Sequence, residues 1–285
     1  MTNERIAVLS CVSFNSDLVK RQLANYQASH GNQAKHFLHI ASDGDINAQE
    51  LLSLGDIDVD AATSSYRTSN LCNFGGQIAN SKHLLTSAEQ FGYVYIHTDA
   101  DLIIQGNLAE HVNKHQCGFL KQKPSSNWPH YKKMMEDPCF SALRDYLGIK
   151  PEEIITGRQE GSFFPIELWA EMTALFEKFY HEEFFSNRAL LWPIEEGIVP
   201  TIASKLIGNA YPDFAPKVKN IVVTKPLKPA PRGINPRDIS ENCVNIEDIK
   251  QTLDISSNDA CIAMKWFSRN LSDPAAKFAN EKLTP

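Results

Sequence analysis

Apolar positions fall into short solid runs in the first third of the chain and into helix-spaced stripes further on. Ile6-Ala7-Val8-Leu9-Ser10-Cys11-Val12 is nearly continuous and closes on the polar turn Ser13-Phe14-Asn15-Ser16. That predicts a buried strand, then a helix capped near Ser16-Asp17. Residues 35–40 predict a second strand, closed by Ser42-Asp43-Gly44-Asp45, and residues 47–54 a short helix. Behind Asn73-Phe74-Gly75-Gly76, Ile78, Leu85 and Ala88 share one side of a predicted helix. Tyr93-Val94-Tyr95-Ile96-His97 predicts the next strand, which runs into Thr98-Asp99-Ala100-Asp101. Strands alternating with helices predict an α/β fold with a mixed, mostly parallel sheet flanked by helices.

The second half is less regular. Ile166, Trp169, Met172, Leu175, Phe176, Phe179 and Tyr180 recur at three- and four-residue spacing behind Pro165, an amphipathic helix with proline at its start. The pairs Ile198-Val199, Ile202-Ala203 and Leu206-Ile207 predict another helix after Glu195-Glu196. Residues 211–236 are Pro-rich and predict extended chain around one strand at 220–224.

Composition narrows the class. The chain has 285 residues, 42% of them hydrophobic and 22% charged, which excludes a disordered chain, a coiled coil and a small disulfide scaffold. A net charge of −6 argues against a general nucleic-acid binder. No apolar run approaches the roughly 20 residues of a membrane span, and the first residues lack a signal-peptide apolar region. A cytoplasmic protein is expected. The six cysteines lie far apart without a C-x-x-C, which predicts reduced thiols and no zinc site. P-loop, dinucleotide and G-x-S-x-G signatures are absent.

The sharpest chemical feature is Asp99-Ala100-Asp101 at the end of an apolar strand. Ligands of open α/β sheets bind beyond the carboxyl ends of the strands. Two acids placed there repel each other unless a hard cation intervenes, so Mg²⁺ or Mn²⁺ bridging Asp99 and Asp101 to nucleotide phosphates is the expected cofactor. The rival for the pair is a solvated acidic turn.

With that motif in place, the sequence resembles the nucleotide-sugar-dependent glycosyltransferases of the GT-A fold. Their D-x-D closes a strand in the middle of the chain. Residues 6–14 resemble their first strand, which abuts the nucleotide, and Asn73-Phe74-Gly75-Gly76-Gln77-Ile78-Ala79-Asn80 resembles their N-x-G-x-x-x-A-x-N segment. The D-A-D run continues to Leu108 as in many sugar transferases. The resemblance is of motifs, strongest to family two in the N-terminal half, and covers about residues 6–208. It implies donor or nucleotide contacts at Ser13, Asn15, Asp43, Asn73, Gly76, Asn80, Asp99, Ala100 and Asp101, with Asp101 as the main cation ligand. Many family-two members carry two consecutive acids where this chain has Ser42-Asp43, so Asp43 and Asp45 both stand as base-reading residues or as turn caps.

The same resemblance places Glu160, Gly161 and Ser162 beside the sugar or acceptor, with Arg158 a further contact. It places a general base at the acids opening a late helix, Glu195 and Glu196, with Glu196 the nearer match. The pattern is also similar to core-branching N-acetylglucosaminyltransferases. Ordinary helix-start acids remain the alternative. Lys265 and Arg269 are expected on the diphosphate. Retaining enzymes of the glycogenin type carry a late histidine, and here all nine lie at or before His181, which favours inversion. His97 is expected to be structural.

The resemblance divides the chain into a nucleotide-sugar half (1–110), an acceptor half of the same domain (111–210) and a closing segment (211–285). Lys217, Lys219, Lys225, Lys228, Arg232 and Arg237 form an acid-free basic run between 214 and 237. It is expected to be mobile and to meet a diphosphate, an acidic acceptor or an anionic membrane leaflet, the alternative being a merely solvated basic loop. The expected function is transfer of a sugar, from a UDP-sugar above all, to a glycan or glycolipid in bacterial surface polysaccharide assembly. The alternatives are an inactive glycan- or nucleotide-binding relative and a haloacid-dehalogenase-like phosphatase. The latter's D-x-D follows the first strand; here it follows several.

Overall fold

The apolar runs near the N-terminus form the centre of a sheet. In a computed structural model describing residues 4–12, 15–41, 44–64, 72–98, 101–254 and 260–283, the first strand β1 spans Ile6–Val12 and helix α1 spans Ser16–His30. The cap of α1 is Asn15 rather than Ser16: its Oδ1 accepts the Leu18 N–H at 3.2 Å. Then come β2 (Ala34–Ala41), α2 (Ala48–Leu52), β3 (Val59–Ser64), α3 (Phe74–Leu85) and β4 (Tyr93–Ile96). The middle of the chain supplies β5 (Asp101–Ile103), α4 (Leu108–His115), α5 (Tyr131–Glu136), α6 (Pro138–Leu147) and β6 (Phe163–Pro165). Helices α7 (Ile166–Phe179), α8 (Glu182–Ser186) and α9 (Glu195–Ile207) follow. The chain closes with β7 (Val218–Asn220), α10 (Ile246–Leu253), β8 (Ala263–Lys265) and α11 (Pro274–Leu283).

The main sheet has the order β3-β2-β1-β4-β6. Its first four strands are parallel, with Ile6 opposite Ala34 on one side and Tyr93 on the other, and β6 is antiparallel to β4. The fold is thus the mixed, mostly parallel α/β sheet that the sequence predicts. The strand order reverses between β1 and β4, and that junction is where such sheets bind ligands. A second sheet, β5-β8-β7, ties the segment after Asp101 to the C-terminal region, with Asp101 opposite Lys265. The strand expected at 220–224 starts earlier and stops at Asn220, whose side chain accepts the Val222 N–H and turns the chain into a 3₁₀ helix.

The largest apolar cluster joins Phe37, Phe74 and Val94 to Phe164, Trp169, Trp192 and Ile198. Burying side chains of this size is worth about 1.5–3 kcal/mol each. Within it, Asp137 caps α6 through Oδ1, and its Oδ2 accepts from Tyr180 Oη and Trp192 Nε1, both at 2.9 Å. The cluster therefore fixes Trp192, and with it the entry to α9. A side chain at Gly197 would meet Trp192 Cη2 at 2.8 Å, so α9 can lie this close to the indole only with glycine there. Among the described residues, no helix is long and apolar enough to cross a membrane.

Candidate active site

One cavity opens at the carboxyl ends of β1 and β4, and a larger one lies beside it, sharing a wall with it. The smaller, of about 60 Å³, is lined by Leu9, Ser10 and Cys11 from β1 and by Asn73, Gln77 and Asn80 from the start of α3. Ile96, His97 and Thr98, from β4 and its end, complete it with Gln159, Glu160, Glu195 and Glu196. It lies at the switch point of the sheet. The larger, a cleft of about 570 Å³, is lined among others by Trp128, Arg158, Pro216, Asn220 and Lys265, and again by Glu160 and Glu196. Those two glutamates belong to both.

Local structure explains how the wall is held. Gly161 N–H donates to the Ile96 carbonyl, and Ile96 N–H donates to the Ser162 carbonyl, so residues 161–162 extend the edge of β4. Gly161 has φ +82°, and a Cβ there would lie 2.3 Å from Val218 Cγ2. Only glycine makes this turn, and the turn puts Glu160 at the strand ends. Gly157 N–H donates to the Glu196 carbonyl, binding the same segment to α9. Gln77 Nε2 donates to Gln159 Oε1, and Gln159 Nε2 donates to the Glu195 carbonyl.

The three carboxyl groups differ in their surroundings. Glu160 is ion-paired to Lys265, the side chains being 9% and 15% exposed, and this cation holds it below the usual glutamate range although burial pushes it up. Glu195 is pushed up to about 8, mainly by burial, with the charges of Glu196 and Glu160 adding to the effect. Its Oε2 is shut off from solvent and has no hydrogen-bond partner among the described residues. Glu196 is raised less: burial and Glu160 push it up while Arg158 and Lys265 pull it down. A carboxylate raised by burial on the wall of a cleft can take a proton from a hydroxyl. The acid deeper inside keeps its proton.

Lys265 ends β8 and is followed by Trp266 at φ 85°, a backbone conformation costly for an aromatic residue. The Trp266 carbonyl accepts Val244 N–H at 3.0 Å. Lys265 lines the larger cleft, paired with Glu160. Arg269 lines neither cavity. The basic run is better anchored than expected: Lys225 pairs with Asp248, Lys228 with Glu241, and Lys219 Nζ donates to Thr252 Oγ1. Its acids come from the segment that follows it.

Of the expected donor contacts, Asn73 and Asn80 line the chamber. Gly76 packs α3 against the sheet, since a Cβ would sit 2.6 Å from His39 Nδ1. Asn15 is the cap of α1. Ser13, Asp43, Asp99 and Ala100 lie outside the described residues. His97 is buried and stacked on Tyr26 at 4.4 Å, as a structural histidine would be.

Asp101 differs from its expectation as main cation ligand. It is wholly buried; Oδ1 accepts from Thr98 N–H and Gln22 Nε2, both at 3.1 Å, and Oδ2 lies 3.4 Å from Tyr26 Oη. A cation would have to displace these donors, so Asp101 as placed does not fit that role. It ties the start of β5 to Thr98, after β4, and to Gln22 and Tyr26 of α1.

Sequence reasoning missed Ser10, Gln77, Thr98 and Gln159. A signal existed for one of them: Asn73, Gln77 and Asn80 form a polar stripe at helical spacing on an otherwise buried helix.

No protein-family model and no curated protein matches this chain. Among solved structures, it is similar to the glycosyltransferase GlyE of Streptococcus pneumoniae TIGR4 (12% identity, TM-score 0.42), covering 99% of this chain and 60% of that one. It is also similar to S. aureus TarS (13% identity, TM-score 0.37), covering 63% of this chain and 31% of that one. The chain thus spans less than two thirds of either protein. Both likenesses are loose, and the reading of the site stands on this chain's own residues.

Proposed function

We propose that the chain is a glycosyltransferase that passes a sugar from a nucleotide-sugar donor to an acceptor hydroxyl by direct, inverting displacement, with Glu196 as general base. One observation carries the reading: Glu196 borders both the chamber at the switch point and the larger cleft, whereas Glu195, of these two, borders the chamber only. The base of such a reaction must face the acceptor while the sugar lies on its other side. Glu196 alone of the adjacent pair meets that condition. Burial and the Glu160 charge make it a better proton acceptor than a free glutamate.

Arg158 and Lys265 line the same cleft, and their charges offset part of the burial that raises Glu196, so the carboxyl can be ionised and act as a base. A UDP-sugar donor, a glycan or glycolipid acceptor and surface polysaccharide assembly follow from the motif resemblance. The D-x-D motif supports a divalent cation as a further part of the proposal, one that now rests on Asp99.

The deciding experiment is Glu196→Gln assayed with a panel of nucleotide sugars and acceptors. Turnover should fall roughly 10²–10⁴-fold with donor affinity kept, and the wild-type product should carry inverted anomeric configuration. Full turnover in Glu196→Gln, or a product of retained configuration, refutes the mechanism.

A further inference from the structure

The larger cleft holds a cation with no partner. Arg158 lines it and is half-buried, yet its guanidinium makes no hydrogen bond and no ion pair among the described residues. Other cations of this region are committed: Lys265 pairs with Glu160 and Lys121 with Asp213, and in the basic run Lys225 pairs with Asp248 and Lys228 with Glu241. Lys123, also on the cleft wall, donates to the Glu152 carbonyl and forms no ion pair among the described residues. With Glu160 matched to Lys265, two cations face one remaining acid of the lining, Glu196. The cleft is thus locally positive in a chain of net charge −6.

The backbone that carries Arg158 is stiff. Gln122 and Thr156 exchange two backbone hydrogen bonds, at 2.8 and 2.7 Å, and Gly157 N–H donates to the Glu196 carbonyl at 2.8 Å. A Cβ at Gly157 would lie 2.4 Å from the Leu120 carbonyl oxygen, so the two segments meet this closely only with glycine there. On the other side, Gln159 Nε2 is fixed to the Glu195 carbonyl. A cation whose backbone is already in place loses little freedom when it takes an anion. Its planar fork matches the paired oxygens of a carboxylate or phosphate. Trp128, half-buried and set edge-on to Trp192 at 6.2 Å, adds aromatic surface to the same cleft. An aromatic ring and an unpartnered guanidinium, within about 570 Å³, suit a sugar that bears an anionic group.

We infer that the cleft takes an acceptor sugar carrying a carboxylate or phosphate, and that Arg158 selects for that anion. The inference rests on the glycosyl-transfer reading and adds the class of acceptor to it. Glu196 lies on the same wall, so the anion and the hydroxyl that loses its proton belong to one acceptor. The basic run, where the sequence alone points for an acidic acceptor, has Lys225 and Lys228 neutralised by acids that follow them. The anion meets Arg158 instead.

Calorimetry tests it with the diphosphate position filled by saturating UDP or GDP, so that an anionic sugar cannot bind there. The titrants are glucose and galactose, glucuronate and galacturonate, and the 6-phosphates of glucose and galactose. At least one anionic sugar should bind about tenfold tighter than its neutral parent, and the carboxylate and phosphate arms show which anion is read. Arg158→Gln should erase that preference while leaving nucleotide affinity within about twofold. It removes no hydrogen bond of the folded chain and should melt with the wild type. Arg158→Lys, which keeps the charge without the fork, should retain part of the preference. Lys228→Gln, in the paired run, should leave it unchanged. If the anionic sugars bind no tighter than the neutral ones, or the preference survives Arg158→Gln, the acceptor assignment fails and the transferase reading stands. An equal loss of nucleotide affinity in Arg158→Gln gives this residue to the donor and has the same meaning. If none of UDP, GDP, UDP-glucose and GDP-mannose binds, both readings fall.

Discussion

The chamber and the cleft share a wall and differ in size and charge. The chamber, of about 60 Å³, is lined by Glu160, Glu195 and Glu196 and by no lysine or arginine among the described residues. The cleft, of about 570 Å³, carries Lys123, Arg158 and Lys265. Glu195 and Glu196 are consecutive, yet each inherits the character of the side it faces: burial pushes Glu195 up to about 8, while the cleft's cations restrain Glu196. Both neighbouring acids at one helix start are raised by burial, but only at Glu196 do nearby cations pull the other way, because counter-charge is distributed differently across a few ångströms.

The largest effect should come from neutralising the two acids separately. Glu196→Gln is expected to cost roughly 10²–10⁴ in turnover, and Glu195→Gln under tenfold, with its loss appearing in donor KM. Equal losses of turnover would erase the distinction between the two sides. Next is the ion pair within the wall. Lys265→Met leaves Glu160 buried without its cation and should destabilise the protein by about 3–5 kcal/mol, read by urea unfolding. Lys265→Met combined with Glu160→Gln should recover most of that loss; no recovery would mean that Lys265 acts through packing.

Linkage gives a third test. Glu195 keeps its proton in the folded chain to about pH 8, whereas the unfolded chain loses it near 4.5, so folding becomes less favourable as pH rises between those values. Glu195→Gln should therefore add about 2–4 kcal/mol of stability at pH 8.5 and almost none at pH 4. A gain that does not depend on pH would show that Glu195 is ionised throughout. The smallest effect concerns Asp101. Asp101→Asn should cost about 1.5–3 kcal/mol without any metal or nucleotide present, seen as a lower melting temperature in chelator. A variant of wild-type stability that has lost only cation-dependent binding would restore Asp101 to the role of metal ligand.

The parts of the fold legible in the sequence are those whose burial leaves a long pattern. β1, β2 and β4 are walled on both faces and appear as solid apolar runs. β3 does not, because it is an edge strand of Val59, Asp60 and small residues, paired on one side only. β5, β6 and β8 have three residues each, too few for any period to show. The site divides likewise. Glu195, Glu196, Glu160 and Lys265 are noticed because charged residues at element ends stand out. Ser10, Thr98 and Gln159 are ordinary polar residues whose meaning lies in what surrounds them, and Gln22 and Tyr26, which hold Asp101, come from a helix remote in sequence.

The small sheet of β5, β8 and β7 also sets an order of events. Gln105 reaches the Cys261 carbonyl across 156 residues, and Lys265 arrives opposite Asp101 through the same pairing. During synthesis the switch-point strands can form early from neighbouring segments, but the wall between chamber and cleft lacks its lysine until the last tenth of the described chain is made. Contacts of such long range are slow to close. Until they do, Glu160 lacks its cation and the wall between chamber and cleft is unfinished. Activity should therefore appear after the bulk of the secondary structure in refolding, as a separate and later phase.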